Sequence, residues 1–124
     1  MVVVWEELKK YDMTIVNKNL GRKANVEREY LALPKEARAR CISNIKRQLE
    51  KCLILLRENE YPYDVDDNIK HYVLWMSGDK DLESSKKYVA SLLGKTQSDI
   101  VMFTNDTSAK SILEINHHHV FVKN

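Results

Sequence analysis

The segment "EINHHHVFVKN" places His117, His118 and His119 in succession, and a fourth histidine, His71, lies in "IKHYVLWM" four residues before Trp75. Imidazole is the side chain whose ordinary pKa falls near neutrality. It can move protons, donate and accept hydrogen bonds, or ligate a metal. In an extended strand successive side chains alternate between faces. His117, His119 and Phe121 therefore share one face, while His118, Val120 and Val122 share the other. His71 keeps register with Val73 and Trp75. If the two strands are neighbours, His71, His117 and His119 gather at one end of a sheet.

Several chemistries compete for such a group. A zinc site could use the His117/His119 pair with one more ligand. However, neither His71 nor any carboxylate stands at a diagnostic spacing, so no metal and no cofactor are expected. Histidine-triad phosphoester transfer needs three alternate histidines. Here the third alternate position is Phe121, so His71 would have to complete the set. An expression tag is disfavoured by the strand-like "VFVKN" that follows. The remaining reading is a strand whose histidines hydrogen-bond within the fold or face a partner. The chain shows no glycine-rich phosphate loop, no paired carboxylates in a strand context and no nucleophile elbow. With three glycines in all, a cradle of backbone amides for a nucleotide is not expected. Trp5, Trp75 and six tyrosines could supply a stacking platform, with Trp75 reading as core.

The elements that must position these residues follow from periodicity. Val4, Leu8, Tyr11 and Ile15 recur on one helical face, which predicts a first helix over 2–19 that ends near Gly21. A short helix over 25–33 follows, with Asn25 as its cap. Pro34 suits the first turn of a long helix running to about Asn59. Its apolar face would be Ala37, Cys41, Ile45, Leu49, Cys52 and Leu56. Arg38, Arg40, Lys46, Arg47 and Lys51 lie around its other sides and read as a solvated surface. The loop "ENEYPYDVDDN" leads to a central strand, "IKHYVLWM". A helix opened by Asp79 or Asp81 and closed by Gly94 precedes a second strand, "DIVMFTN". A loop or helical turn, "DTSAKSILEI", then leads to the histidine strand. The expected fold is α+β: N-terminal helices packed on a small mixed or antiparallel sheet of about three strands.

The bulk properties bound the function. The 124 residues suit one domain that buries its own core. The 20 basic and 18 acidic residues give a net charge of +2, too small to argue nucleic-acid binding from charge alone. No apolar run spans a membrane, and the start does not read as a signal peptide, so a cytoplasmic or nuclear location is expected. Cys41 and Cys52 lie eleven residues apart on the expected long helix, about 16 Å along its axis, which excludes a disulfide between them. Both read as small buried hydrophobes of a reducing compartment.

Four pieces of the chain together resemble the N-acetylglucosamine-induced protein family, a domain of unknown function in fungi and large DNA viruses. The first is "WEELKKYDMTIVNKNLGRKANVEREY", with its opening tryptophan and helix, the segment 17–20, and Arg22. The second is "NEYPYDVDDNIKHYVLW", in which Pro62, Tyr63, His71 and Trp75 match and Tyr61 replaces a tryptophan. In the third, Phe103, Asn105 and Ser111 match, with Ala109 where leucine is usual. In the fourth, His117, His119 and Val120 match, and Asn116 replaces an acid. The likeness covers both ends of the chain, which is shorter in between and closer to a viral member. It implies no established reaction. It does name the same-face histidine pair and leaves His118 outside the pattern.

Combined, these readings place the candidate ligand-binding residues at His71, His117, His119, Tyr63, Asn105 and Arg22. The leading expectation is a binding or interaction module for a phosphate-bearing ligand, a nucleotide or nucleic acid, or else a protein partner. Cationic or donor imidazoles would tighten binding as pH falls through about 6.5. A phosphoester-acting enzyme with His117 or His119 as acid–base is the first rival. A structural component of a virion or other assembly is the second.

Overall fold

The computed structural model describes residues 2–17, 20–78, 80–106 and 115–124. These form an α+β fold with helices α1 (Trp5–Leu8), α2 (Ala24–Leu31), α3 (Lys35–Leu49) and α4 (Leu82–Leu93). The strands are β1 (Ile15–Val16), β2 (Ile54–Glu58), β3 (Ile69–Met76), β4 (Ile100–Asn105) and β5 (Asn116–Lys123). They lie in the order β1-β4-β5-β3-β2. The β1–β4 pair is parallel and the other pairs are antiparallel, so the sheet is mixed.

The longest pairing joins β3 to β5 and runs from Ile69 opposite Lys123 to Met76 opposite Asn116. Two-residue alternation sorts both strands. Leu74, Met76, Val120 and Val122 pack with Ile100 and Met102 under Val89 and Ala90 of α4. On the other face Ile69, Phe121, Val101 and Phe103 pack with Trp5, Leu8 and Tyr63. Farther along that face Val73 and Trp75 meet Ile45 and Leu49 of α3. The histidine-bearing face is thus roofed by α1, α3 and the loop that carries Tyr63. Phe103 and Phe121 are fully enclosed, each contributing about 1.5–3 kcal/mol of transfer free energy.

Strands β3, β4 and β5 and helix α4 stand where alternation and capping put them. The Asp81 carboxylate accepts from the Ser84 amide at 3.1 Å. Gly94 closes the helix at φ 64°, in the left-handed region open to a residue without Cβ. Asp79, the other proposed cap, and Ala109 and Ser111 fall outside the described residues.

Six expectations are corrected. The sheet has five strands rather than about three. The first helix stops at Leu8, passes through a 3-10 turn and yields to β1. Asp12 explains this: its carboxylate accepts from the Met102 amide at 3.0 Å and from Lys86 Nζ at 2.6 Å, tying the chain to β4 and α4. Ile15, expected in the buried stripe, is exposed on the edge strand. The long helix ends at Leu49, and "ILLRE" becomes β2, pairing Ile54 with Met76 through Glu58 with Tyr72. A short apolar run reads equally as helix or strand, and an open sheet edge decided it. Cys41 and Cys52 are therefore exposed free thiols rather than core residues. Asn25 lies inside α2, whose cap position is Lys23.

Candidate functional site

The register sets the histidine geometry. His71 is paired with Phe121, His119 with Val73, and His117 with Trp75. Diagonal neighbours on one face of an antiparallel pair are within reach of large side chains. His71 Nε2 lies 2.9 Å from His119 Nδ1. His117 is the outer member, tilted against Trp75 with ring centroids 4.8 Å apart. His118 points to the opposite face, where its Nε2–H donates to the Lys80 carbonyl at 2.9 Å. Of the three consecutive histidines, the first and third therefore share the face of His71.

The hydrogen bonds fix where the protons sit. The Tyr63 amide donates to His71 Nδ1 at 3.1 Å, so that nitrogen is bare and the proton of neutral His71 is on Nε2. It donates to His119 Nδ1, which leaves the His119 proton on Nε2. That Nε2–H is 3.1 Å from the carboxamide of Asn105, which is also 3.3 Å from the Tyr63 hydroxyl. If the amide nitrogen faced His119, two N–H donors would oppose each other. Oδ1 of Asn105 on this side would accept from His119, whereas the amide nitrogen on this side donates to the Tyr63 hydroxyl. The relay runs from the Tyr63 backbone through His71 and His119 to Asn105.

Electrostatics keep the relay neutral. Burial holds the His71 pKa down to about 3, with the Arg22 charge reinforcing it. His119 is lowered well below the ordinary histidine value by burial first, then by the neighbouring His71, His117 and Arg22. Burial likewise raises the Tyr63 phenol, so it remains a donor. The expectation of cationic imidazoles is thus corrected for this pair. A sheet face sealed by Phe103, Phe121 and Tyr63 offers an imidazolium no solvation.

Arg22 sits beside the relay. Its Nε donates to the Tyr61 carbonyl at 2.7 Å and its guanidinium meets Glu27 at 3.3 Å. It also covers the Tyr30 ring at 4.3 Å, and Arg38 lies 4.7 Å from the same ring.

A cleft of about 480 Å³ lies between α2, α3, β2 and the histidine face of the sheet. Five of the six sequence-named residues line it: Tyr63, Asn105, His117, His119 and Arg22. His71 lies behind them, bonded to His119. Tyr30 and Arg57, not singled out in the sequence, also line the cleft, as do Arg38 and Arg40, which read there as a solvated surface of the long helix. The basic residues of α3 were visible, but only the fold shows that Arg38 and Arg40 border this cleft. Among the described residues no three histidine, cysteine or acidic side chains are grouped to hold a metal. Nor is any helix among them long and apolar enough to cross a membrane.

This architecture is similar to that of a solved structure described as the crystal structure of HTC1. The two share 18% identity over 98% of this chain and 85% of that one, with a TM-score of 0.61, a likeness of fold. No curated protein matches the chain. A family model described as "Protein of unknown function (DUF3605)" matches residues 4–123. The chain therefore belongs to this family of unknown function.

Proposed function

We propose that the cleft binds a small phosphate-bearing ligand of nucleotide size. The observation that carries this reading is the lining itself. The cleft is lined by four arginines, Arg22, Arg38, Arg40 and Arg57, by Glu58 and Glu60, and by tyrosine, tryptophan and histidine residues. A volume of about 480 Å³ suits a ligand of this size. Guanidiniums match phosphate oxygens in charge and geometry, and the rings offer faces for a base to stack on. Because burial holds His71 and His119 neutral, the countercharge comes from arginine. The free thiols Cys41 and Cys52 suit a reducing compartment such as a cytoplasm or nucleus. The N-acetylglucosamine-induced affiliation and a viral source belong to this reading through residue resemblance.

Calorimetric titration of mononucleotides and short RNA against the wild type and an Arg38→Ala/Arg57→Ala variant tests it. The expected result is saturable binding to the wild type, weakened about tenfold or more in the variant. Equal binding by the two proteins, or none, would refute the reading.

A second reading, phosphoester chemistry, is favoured by one observation. His117 lines the cleft and its Nδ1–H donates to the Ile115 carbonyl at 2.9 Å, making Nε2 the basic nitrogen of the neutral ring. His119, committed at both nitrogens, is not the acid–base group. In this reading His117→Ala abolishes turnover of a phosphoester and leaves its binding largely intact.

A further inference from the structure

The four arginines of the cleft are not held alike. Arg38 is half-buried; its Nη2 donates to the Tyr30 backbone carbonyl at 3.2 Å and its guanidinium lies over the Tyr30 ring. Arg22 lies over the same ring, with Nε bonded to the Tyr61 carbonyl and Nη1 to Glu27. Arg57, which bonds the Gln48 side chain, and Arg40 are exposed. Fixing a long side chain on binding costs rotamer freedom, and Arg22 and Arg38 are fixed before any ligand arrives. Their partial burial also leaves them less screened by salt than an exposed guanidinium. At 4.3 and 4.7 Å from one ring centroid, the two guanidinium carbons are no more than about 9 Å apart. A phosphate bonded to two guanidiniums spans up to about 8 Å between those carbons, so one anion reaches both with little movement. Arg22 shares its charge with Glu27, whereas among the described residues no carboxylate pairs with Arg38.

We infer that the ligand's phosphate group is clamped by Arg38 and Arg22 over the Tyr30 ring, with Arg38 the principal contact and Tyr30 a positioning residue. The inference rests on the proposed phosphate-binding reading and names the subsite within it. Arg22, Tyr30 and Arg38 all line the cleft. The Tyr30 carbonyl takes one of the five N–H groups of Arg38. Planarity matters here, because a guanidinium stacks on a phenol ring and still offers an edge of donors to phosphate oxygens, which an ammonium does not. The clamp uses the ring and the backbone of Tyr30 and not its hydroxyl.

The test is calorimetric titration of adenosine monophosphate and cytidine monophosphate against the full chain and single variants, each checked for folding by circular dichroism. Arg38→Ala should weaken both probes by the same factor, about tenfold or more, the effect of losing hydrogen bonds to a charged group. Arg38→Lys should not restore the loss. Arg57→Ala, which removes an exposed charge, should cost about twofold or less. Tyr30→Phe should bind as the wild type does, and Tyr30→Leu should bind about threefold less tightly or worse, because Arg38 loses its platform. If Arg57→Ala costs as much as Arg38→Ala, or Arg38→Ala weakens one nucleotide and spares the other, the clamp is overturned and the cleft reading stands. Full binding by a folded Tyr30→Leu variant does the same. If the wild type binds neither probe, clamp and cleft reading fall together. The two arginine variants decide the matter even if Tyr30→Leu does not fold.

Discussion

A histidine buried without charge stores its proton linkage in the fold. The unfolded chain binds a proton near the ordinary value of about 6.5, whereas folded His71 does so only at about 3. Between those values the unfolded state holds more protons, so stability rises with pH. The contribution is complete above about pH 6.5 and is lost as pH falls below it. His119, lowered in the same direction, adds to the effect. Each histidine contributes about 1.4 kcal/mol per pH unit in this window, so going from about pH 7.5 to about pH 5.5 should cost about 2–3 kcal/mol in urea denaturation. A His119→Gln variant should lose roughly half of that slope. A flat profile would mean that both rings are charged or exposed. At this scale the sequence was partly legible. Two-residue alternation separates His118 from its neighbours, and no more than periodicity is needed to see it. The direction of the relay was not legible, because it originates in a backbone amide, that of Tyr63, brought to His71 by a loop.

At the scale of elements, the strands and the helix with explicit punctuation were the readable ones. Asp81 and Gly94 bracket α4, and no heavy atom outside the chain neighbours of Gly94 lies within 4 Å of a Cβ built there. Gly94→Ala should therefore lower stability by about 1 kcal/mol through backbone conformation alone, measured by thermal or urea unfolding. The N-terminal segment was misread because its helical stripe is real through Leu8 but is cut off by a tertiary anchor. Lys86, with a side chain 9% exposed, reaches across from α4 to Asp12. Removing its partner in Asp12→Ala should cost about 2–3 kcal/mol, since a mostly buried ammonium is left uncompensated. A loss of a few tenths would show that the ion pair is incidental to the turn. The end of α3 was also hidden. Nothing between Leu49 and Ile54 is glycine or proline, and only pairing with β3 distinguishes "ILLRE" from another helical turn.

In the whole molecule, the three hydrophobic clusters all rest on the same sheet, and β3 contributes to each. Unfolding should accordingly be one cooperative transition, with fluorescence of Trp5 and Trp75 and far-ultraviolet circular dichroism changing together. Separate midpoints would indicate that the clusters melt independently. The cleft is a property of this scale. It needs α2, α3, β2 and the sheet together, so its arginines carried no recognisable spacing in the chain. Its central claim is that guanidiniums, rather than imidazolium ions, receive the ligand's phosphate. A phosphodiester dinucleotide keeps a constant charge near neutrality, so its affinity reports the titration of the protein alone. The measurement is that affinity at about pH 7.5 and about pH 5.5, at low and high salt, with the folded fraction checked by circular dichroism. The account predicts affinities equal within about twofold across pH and weakened by salt. An increase of about tenfold at the lower pH, the change expected as imidazoles with ordinary pKa values gain their protons, would contradict it.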